Sequence, residues 1–358
     1  MDKELNLQEK LEIISNSEGA GFAYDIVGIE KEYLKSNVDK SSLPIKMLSI
    51  VGGFMSTMAF LGFLLIAGLY ESEIGMVIFG FLFISVAILL NKKIDKLIVD
   101  TLSISAYLIG LCLMTFGLAQ LEVDENVLSL LLIVISLCSP LIAPNYILSF
   151  SSVLIINGNI LFLIVNNHFY NLIHIYISII ATGLSLFFLN EAKLITAGKL
   201  FSKLYNPVRI GLVFSLISSL IFVGKRGLLD DGIYYIWASS IITIPVTIYI
   251  ISIVLTLLHV TDNKTKILIY VCTFLVLLPT ALSPAISGAL LIILLSFLVN
   301  FKAGSAIGII SFVYFISQYY YDLNFTLLTK SIVLFLSGIL FLLFFVFTHK
   351  KLGANEKI

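Results

Sequence analysis

Lys330 is the ionisable side chain that stands inside a long apolar stretch, eight residues beyond Asp322. That spacing is about 12 Å along a continuous helix. A lysine at the centre of a bilayer costs about 2.5–3.5 kcal/mol, and less near the interface. Two roles are open to it. It can snorkel to the headgroups. Alternatively, it can face neighbouring helices and pair with a carbonyl, an outer carboxylate or an anionic substrate. Tyr319, Tyr320 and Tyr321 stand just before it, beside Asp322. Such rings suit an interfacial anchor, and with the acid they also suit a face that receives a partner or a sugar. Asn157 and Asn159 sit two apart in another apolar run, on different helical faces. They can bond helix to helix or line a polar cavity. Pro245 lies inside a third run and predicts a kink, whereas Pro279 with Pro284 and Pro140 with Pro144 bracket turns. Helix breaks of this kind free backbone carbonyls, which line transporter sites.

Several chemistries lack their residues. No Asp or Glu falls in the middle of an apolar run, which disfavours a carboxylate proton relay and an intramembrane aspartyl protease. There is no H-E-x-x-H, no P-loop and no G-x-G-x-x-G, so neither a metal nor a nucleotide cofactor is expected. His168 and His174 are too isolated for a metal site. Cys112, Cys138 and Cys272 share no ligand spacing and read as packing residues. No catalytic residue is expected, and the chain reads as a non-enzyme.

The elements that must position these residues follow from composition. Hydrophobic residues make up 59% of the 358, and charged residues only 12%. Soluble domains carry about 25% charge, so apolar side chains here must face lipid as well as each other; the mean hydropathy is +1.06. Net charge is zero, which argues against nucleic acid as a partner. The expected fold is all-α: a polytopic transmembrane helix bundle of about twelve spans in residues 46–348. Before it lies a short cytoplasmic segment, 1–45, with no cleavable signal, and after it a tail, 349–358. The spans read as Met47–Leu69, Ile74–Leu90, Ile98–Leu118, Val127–Ala143, Tyr146–Val165, Phe169–Leu189, Arg209–Val223, Tyr235–Leu258, Ile267–Ala281, Ala285–Asn300, Ala303–Ser317 and Phe325–Phe347.

Charge placement supports that count. With both termini in the cytoplasm, nineteen of the twenty-two basic residues fall on the inner side. Lys225 and Arg226 fall outside, and Lys330 falls within a span. The stretch Glu191–Arg209 reads as a basic amphipathic helix on the inner leaflet, able to contact anionic headgroups. The sixth and twelfth spans open alike, with Phe169-Tyr170-Asn171-Leu172 against Tyr320-Tyr321-Asp322-Leu323, as an internal repeat of six helices would.

The C-terminal pattern carries a resemblance. Ser283-Pro284-Ala285-Ile286-Ser287-Gly288 heads a leucine-rich span, and Tyr319-Tyr320-Tyr321, Leu323, Thr326-Leu327-Leu328, Lys330-Ser331 and Gly338 follow. Near the start stand Pro44, Lys46, Gly52-Gly53 and Phe60-Leu61-Gly62-Phe63. Together these resemble the bacterial membrane proteins called domain of unknown function 4401, over roughly residues 44–348. That family is similar to domain of unknown function 2157, whose members are often encoded beside a GDYXXLXXR-type membrane-anchored protein. The resemblance implies a bacterial inner membrane, the lipid bilayer as surroundings and a complex with such a partner. It makes Lys330 a motif position, and it brings no activity or catalytic residues. The expected function is a non-enzymatic subunit or scaffold of a bacterial envelope complex. The alternative is a secondary transporter or carrier of a small solute or lipid-linked substrate.

Overall fold

A computed structural model describes residues 43–93, 97–224, 235–260 and 262–322, with residues 11 and 25–30 and isolated positions between 328 and 342. No strand occurs among the described residues. The chain divides into two compact units, Met1–Glu122 and Val123–Ile358, each with its own apolar core.

The first unit contains α1 (Leu43–Ile66), a 3-10 turn (Leu69–Glu71), α2 (Glu73–Lys93) and α3 (Leu97–Gln120). Gly68 stops α1 by adopting a left-handed conformation with φ 76°, where a side chain would be strained. Helices α2 and α3 run antiparallel, and glycines let their backbones touch. A Cβ placed on Gly80 would lie 2.8 Å from the Gly110 carbonyl oxygen, and one on Gly110 would lie 2.7 Å from that of Gly80. Gly117 makes the same approach to the Glu73 carbonyl, at 2.9 Å. In lipid no water is expelled when helices meet, so close packing of small residues supplies the attraction. Met76, Ile109 and Leu113 form the core, and Phe60, Leu61 and Leu64 of α1 pack on it.

The second unit opens with a helical hairpin, α4 (Glu125–Ile142) and α5 (Tyr146–Asn166). The Asp124 carboxylate caps α4 by accepting from the backbone N–H groups of Asn126 and Val127, and Asn145 caps α5 in the same way. At the far end the Asn167 amide donates to Asn126 Oδ1 at 2.7 Å, tying the close of α5 to the start of α4. Then come α6 (Leu172–Leu189), α7 (Glu191–Thr196), α8 (Lys199–Gly224), a 3-10 turn (Ile236–Ser239), α9 (Ser240–Leu257) and α10 (Asn263–Leu277). A second 3-10 turn (Pro279–Leu282), α11 (Pro284–Leu298) and α12 (Lys302–Asp322) complete the described part. Helices α6, α8, α9 and α11 share the core, through residues such as Ile177, Leu216, Ile250 and Ile292. Helix α11 is apolar all round because it is enclosed on several sides. On α12, Gly304 and Gly308 form a G-x-x-x-G face that lies against Ser296, Ile292 and Ile293 of α11.

Eight described helices are long and apolar enough to cross a membrane. The first eleven spans read from the sequence each fall on a described helix, and Phe325–Phe347 lies outside the described residues apart from isolated positions. Three of those eleven helices, α1, α11 and α12, are not among the eight. Helix α11 has 15 residues, about 22 Å, against a hydrocarbon core of about 30 Å. Helix α12 is long enough, but Gly304, Ser305, Gly308, Ser311 and Gln318 dilute its apolar character.

Two expectations are corrected. Glu191–Arg209 is not one amphipathic connector. It breaks after Thr196, and from Lys199 the chain is already the helix that runs on to Gly224. Consequently Arg209 does not open its helix. It lies ten residues inside α8 and is buried. Pro140, expected to bound a turn, sits inside the last turn of α4, whereas Pro279 and Pro284 do open helical turns at their N-termini.

Candidate functional site

The polar side chains of the second unit gather in three places. The first joins α5 to α6. Asn157 is buried and its amide nitrogen donates to the Val153 carbonyl at 2.8 Å, while its Oδ1 accepts from the Tyr176 hydroxyl at 2.9 Å. Asn159 bonds back to the Ile155 carbonyl at 2.8 Å. Of the two roles open to these residues, Asn157 takes the helix-to-helix one. Tyr176→Phe removes the donor and leaves the carbonyl oxygen of Asn157 dry. Interhelical bonds in membranes are worth about 0.6 kcal/mol on average and about 1.7 at most, so a loss in that range is expected in reversible unfolding from detergent. A Tyr176→Phe protein as stable as the parent would show that this bond is idle.

The second place is a seam between α6, α9 and α11. His174 Nδ1 lies 2.7 Å from Ser239 Oγ at the head of α9. One turn on, the Thr243 hydroxyl donates to the Ser239 carbonyl at 3.1 Å and lies 2.9 Å from Ser287 Oγ. Ser287 donates in turn to the Pro284 carbonyl at 3.0 Å, and Ser240 reaches the Thr280 carbonyl at 3.4 Å. All of these side chains are buried. Pro284 therefore has a role: it starts α11, and its carbonyl receives one end of the seam. Pro245 takes no part and is exposed on α9.

The third place lies at the opposite end of α6, where its C-terminus, α7, the first turns of α8 and the link from α11 to α12 meet. Arg209 is its centre, with 8% of its surface exposed. Its Nη1 lies 3.3 Å from Glu191 Oε1, and its Nη2 donates to Asn206 Oδ1 at 2.7 Å. Three rings surround the guanidinium: Phe301 at 3.9 Å from the ring centre, Tyr205 at 5.0 Å and Phe188 at 5.7 Å. Phe187 stacks on Tyr205 at 4.8 Å with the planes 7° apart. The ring quadrupoles and one carboxylate thus hold a cation that the apolar interior would otherwise reject. This cluster was not read from the sequence. Pro207, two residues before Arg209, argues for a helix that starts after it, yet Pro207 is buried inside α8.

The other sequence candidates are not brought together with these clusters. Tyr319, Tyr320 and Tyr321 close α12; Tyr321 is 76% exposed, and its ring meets that of Tyr320 edge to face at 5.8 Å. Asp322 accepts from Gln318, one turn back, at 3.1 Å. Lys330 lies outside the described residues, as do Leu323 and most of the twelfth span. Among the described residues no three His, Cys, Asp or Glu side chains form a metal-binding group. A groove of about 670 Å³ runs along α6 from His174 past Ser178 and Thr182 to Leu186, and its walls are mostly apolar.

Fold and clusters together define a multi-helix membrane protein in which several interior polar groups bond across helices. Residues 42–351 match the model of the family described as Domain of unknown function (DUF4401), and the chain belongs to that family. No curated protein and no solved structure matches it significantly.

Proposed function

We propose that this chain is a non-enzymatic scaffold subunit of an envelope complex in the bacterial inner membrane, with about twelve spans and both termini in the cytoplasm. One observation carries the reading: three buried polar side chains of the second unit, Asn157, Thr243 and Arg209, are held by groups from neighbouring elements. Asn157 is bonded by Tyr176, Thr243 meets Ser287, and Arg209 is held by Glu191 and three rings. A carrier needs polar groups turned toward a water-filled path. The groove along α6 is instead apolar and wide, as suits lipid or a partner's helix. The expected partner is a membrane-anchored protein of the GDYXXLXXR type.

Affinity purification of the full chain in mild detergent tests this. A membrane-anchored protein recovered in stoichiometric amount is the expected result. A chain recovered alone that binds a small solute or a lipid-linked substrate would turn the assignment to the carrier.

A further inference from the structure

The Arg209 cluster does more than hold a cation: it ties α7, α8 and the residue before α12 together at one end of the second unit. Glu191 belongs to α7, Arg209 to α8, and Phe301 directly precedes α12. Four lysines stand on these elements: Lys193 on α7, Lys199 and Lys203 on α8, and Lys302 at the first position of α12. All four are exposed. Across residues 186–209 and 296–308 the only acidic residue is Glu191, and its carboxylate is taken by Arg209. Within those two stretches no other carboxylate stands beside the lysines. Among them, Ile195 and Phe201 are exposed large apolar side chains, Phe201 at 52%.

We infer that this end of the second unit is a contact surface for anionic phospholipid headgroups, with Lys193, Lys199, Lys203 and Lys302 facing the phosphates and Ile195 and Phe201 entering the acyl boundary. Charge complementarity carries the assignment. Four exposed cations beside exposed apolar side chains match an interface that is anionic above and hydrocarbon below. The break between α7 and α8 contributes as well. A straight helix from Glu191 would run on along one axis, whereas here the helix breaks after Thr196 and the Arg209–Glu191 pair ties α7 to α8. Each lysine near an anionic surface strengthens binding about fivefold, and salt weakens the effect because the charges are exposed. The contact serves a scaffold or a carrier equally, so it stands apart from the function proposed above.

The test uses the purified full-length chain in dodecyl maltoside micelles with an equimolar mixture of phosphatidylglycerol and phosphatidylcholine. Native mass spectrometry reads the ratio of the two lipids bound. The parent is expected to favour phosphatidylglycerol by about tenfold or more, from the fivefold step per lysine. Lys199→Gln with Lys203→Gln should cut that ratio about fivefold or more, and the remaining preference should fall as salt rises. Lys225→Gln with Arg226→Gln, past the other end of α8 and on the outer side in the proposed topology, removes the same charge and should leave the ratio nearly unchanged. Because Lys199 and Lys203 are exposed, an unchanged elution volume for that pair is expected and checks the fold. Equal binding of both lipids by the parent would overturn the assignment. So would an equal loss from the two basic pairs, which would mean that any surface charge suffices.

Discussion

Gly110→Leu is expected to separate α2 from α3 and to destabilise the first unit by about 3 kcal/mol or more, the upper end of what overpacking costs. At Gly110 the obstruction is backbone: a Cβ would lie 2.7 Å from the Gly80 carbonyl oxygen and 2.9 Å from the Ile84 nitrogen. A side-chain neighbour could rotate away, whereas a helix backbone moves only as a whole. Pushing the helices apart also opens the contact at Gly117 and loosens Met76, Ile109 and Leu113. Thermal unfolding in detergent, with proteolysis of the loops of the first unit as a second readout, measures the effect. Gly183→Ala is the matched control, because nothing lies within 4 Å of a Cβ built there. Alanine is favoured over glycine in a helix by about 1 kcal/mol, so the control should be neutral or slightly stabilising. A Gly110→Leu protein that melts with its parent would show that backbone contact does not hold this hairpin.

Arg209→Met is the second large effect, expected at about 2–3 kcal/mol in the second unit. Methionine fills much of the volume but gives up the ring contacts, each worth about 0.5–2 kcal/mol, of which Phe301 at 3.9 Å is the closest. The ion pair adds less. The Glu191 side chain is 31% exposed, so its carboxylate regains water when the arginine is lost. Glu191→Gln alone should therefore cost less than about 1 kcal/mol, and the double variant should be no worse than Arg209→Met. Lysine cannot stack as a planar guanidinium does, so Arg209→Lys should fall in between. If Glu191→Gln proved as damaging as Arg209→Met, the ion pair and not the ring stack would be the source of stability.

What could be read in the sequence, and what could not, divides by distance along the chain. Apolar runs and their flanking charges place a helix at each of the first eleven expected spans, because twenty consecutive side chains report their own solvent. Local signals work as well: Pro284 heads α11 and Asp322 lies at the end of a helix closed by three tyrosines. Partners do not show. Asn157 stands out as a polar residue in an apolar run, but its donor is 19 residues away on the next helix. Arg209 looks like a flank because the carboxylate that pairs with it is 18 residues back and Phe301 is in another helical hairpin altogether. The glycine contacts went unread: Gly304 with Gly308 and Gly110 with Gly117 stand at fixed spacings, yet spacing alone does not say which neighbour lies opposite.

The glycine hairpin also bears on the order in which this protein is made. Helices α2 and α3 are neighbours in the chain, and the residues that pack α1 onto them come just before. Every contact of that core is therefore available once the ribosome has passed Gln120. Short-range contacts form quickly because little loop entropy opposes them, and domains fold as units during synthesis. The first unit can thus leave the insertion machinery as a finished helical pair with its companion. The second unit must instead wait for α11, late in the chain, to fill its centre, and until then α6 and α8 expose the faces that α11 will cover.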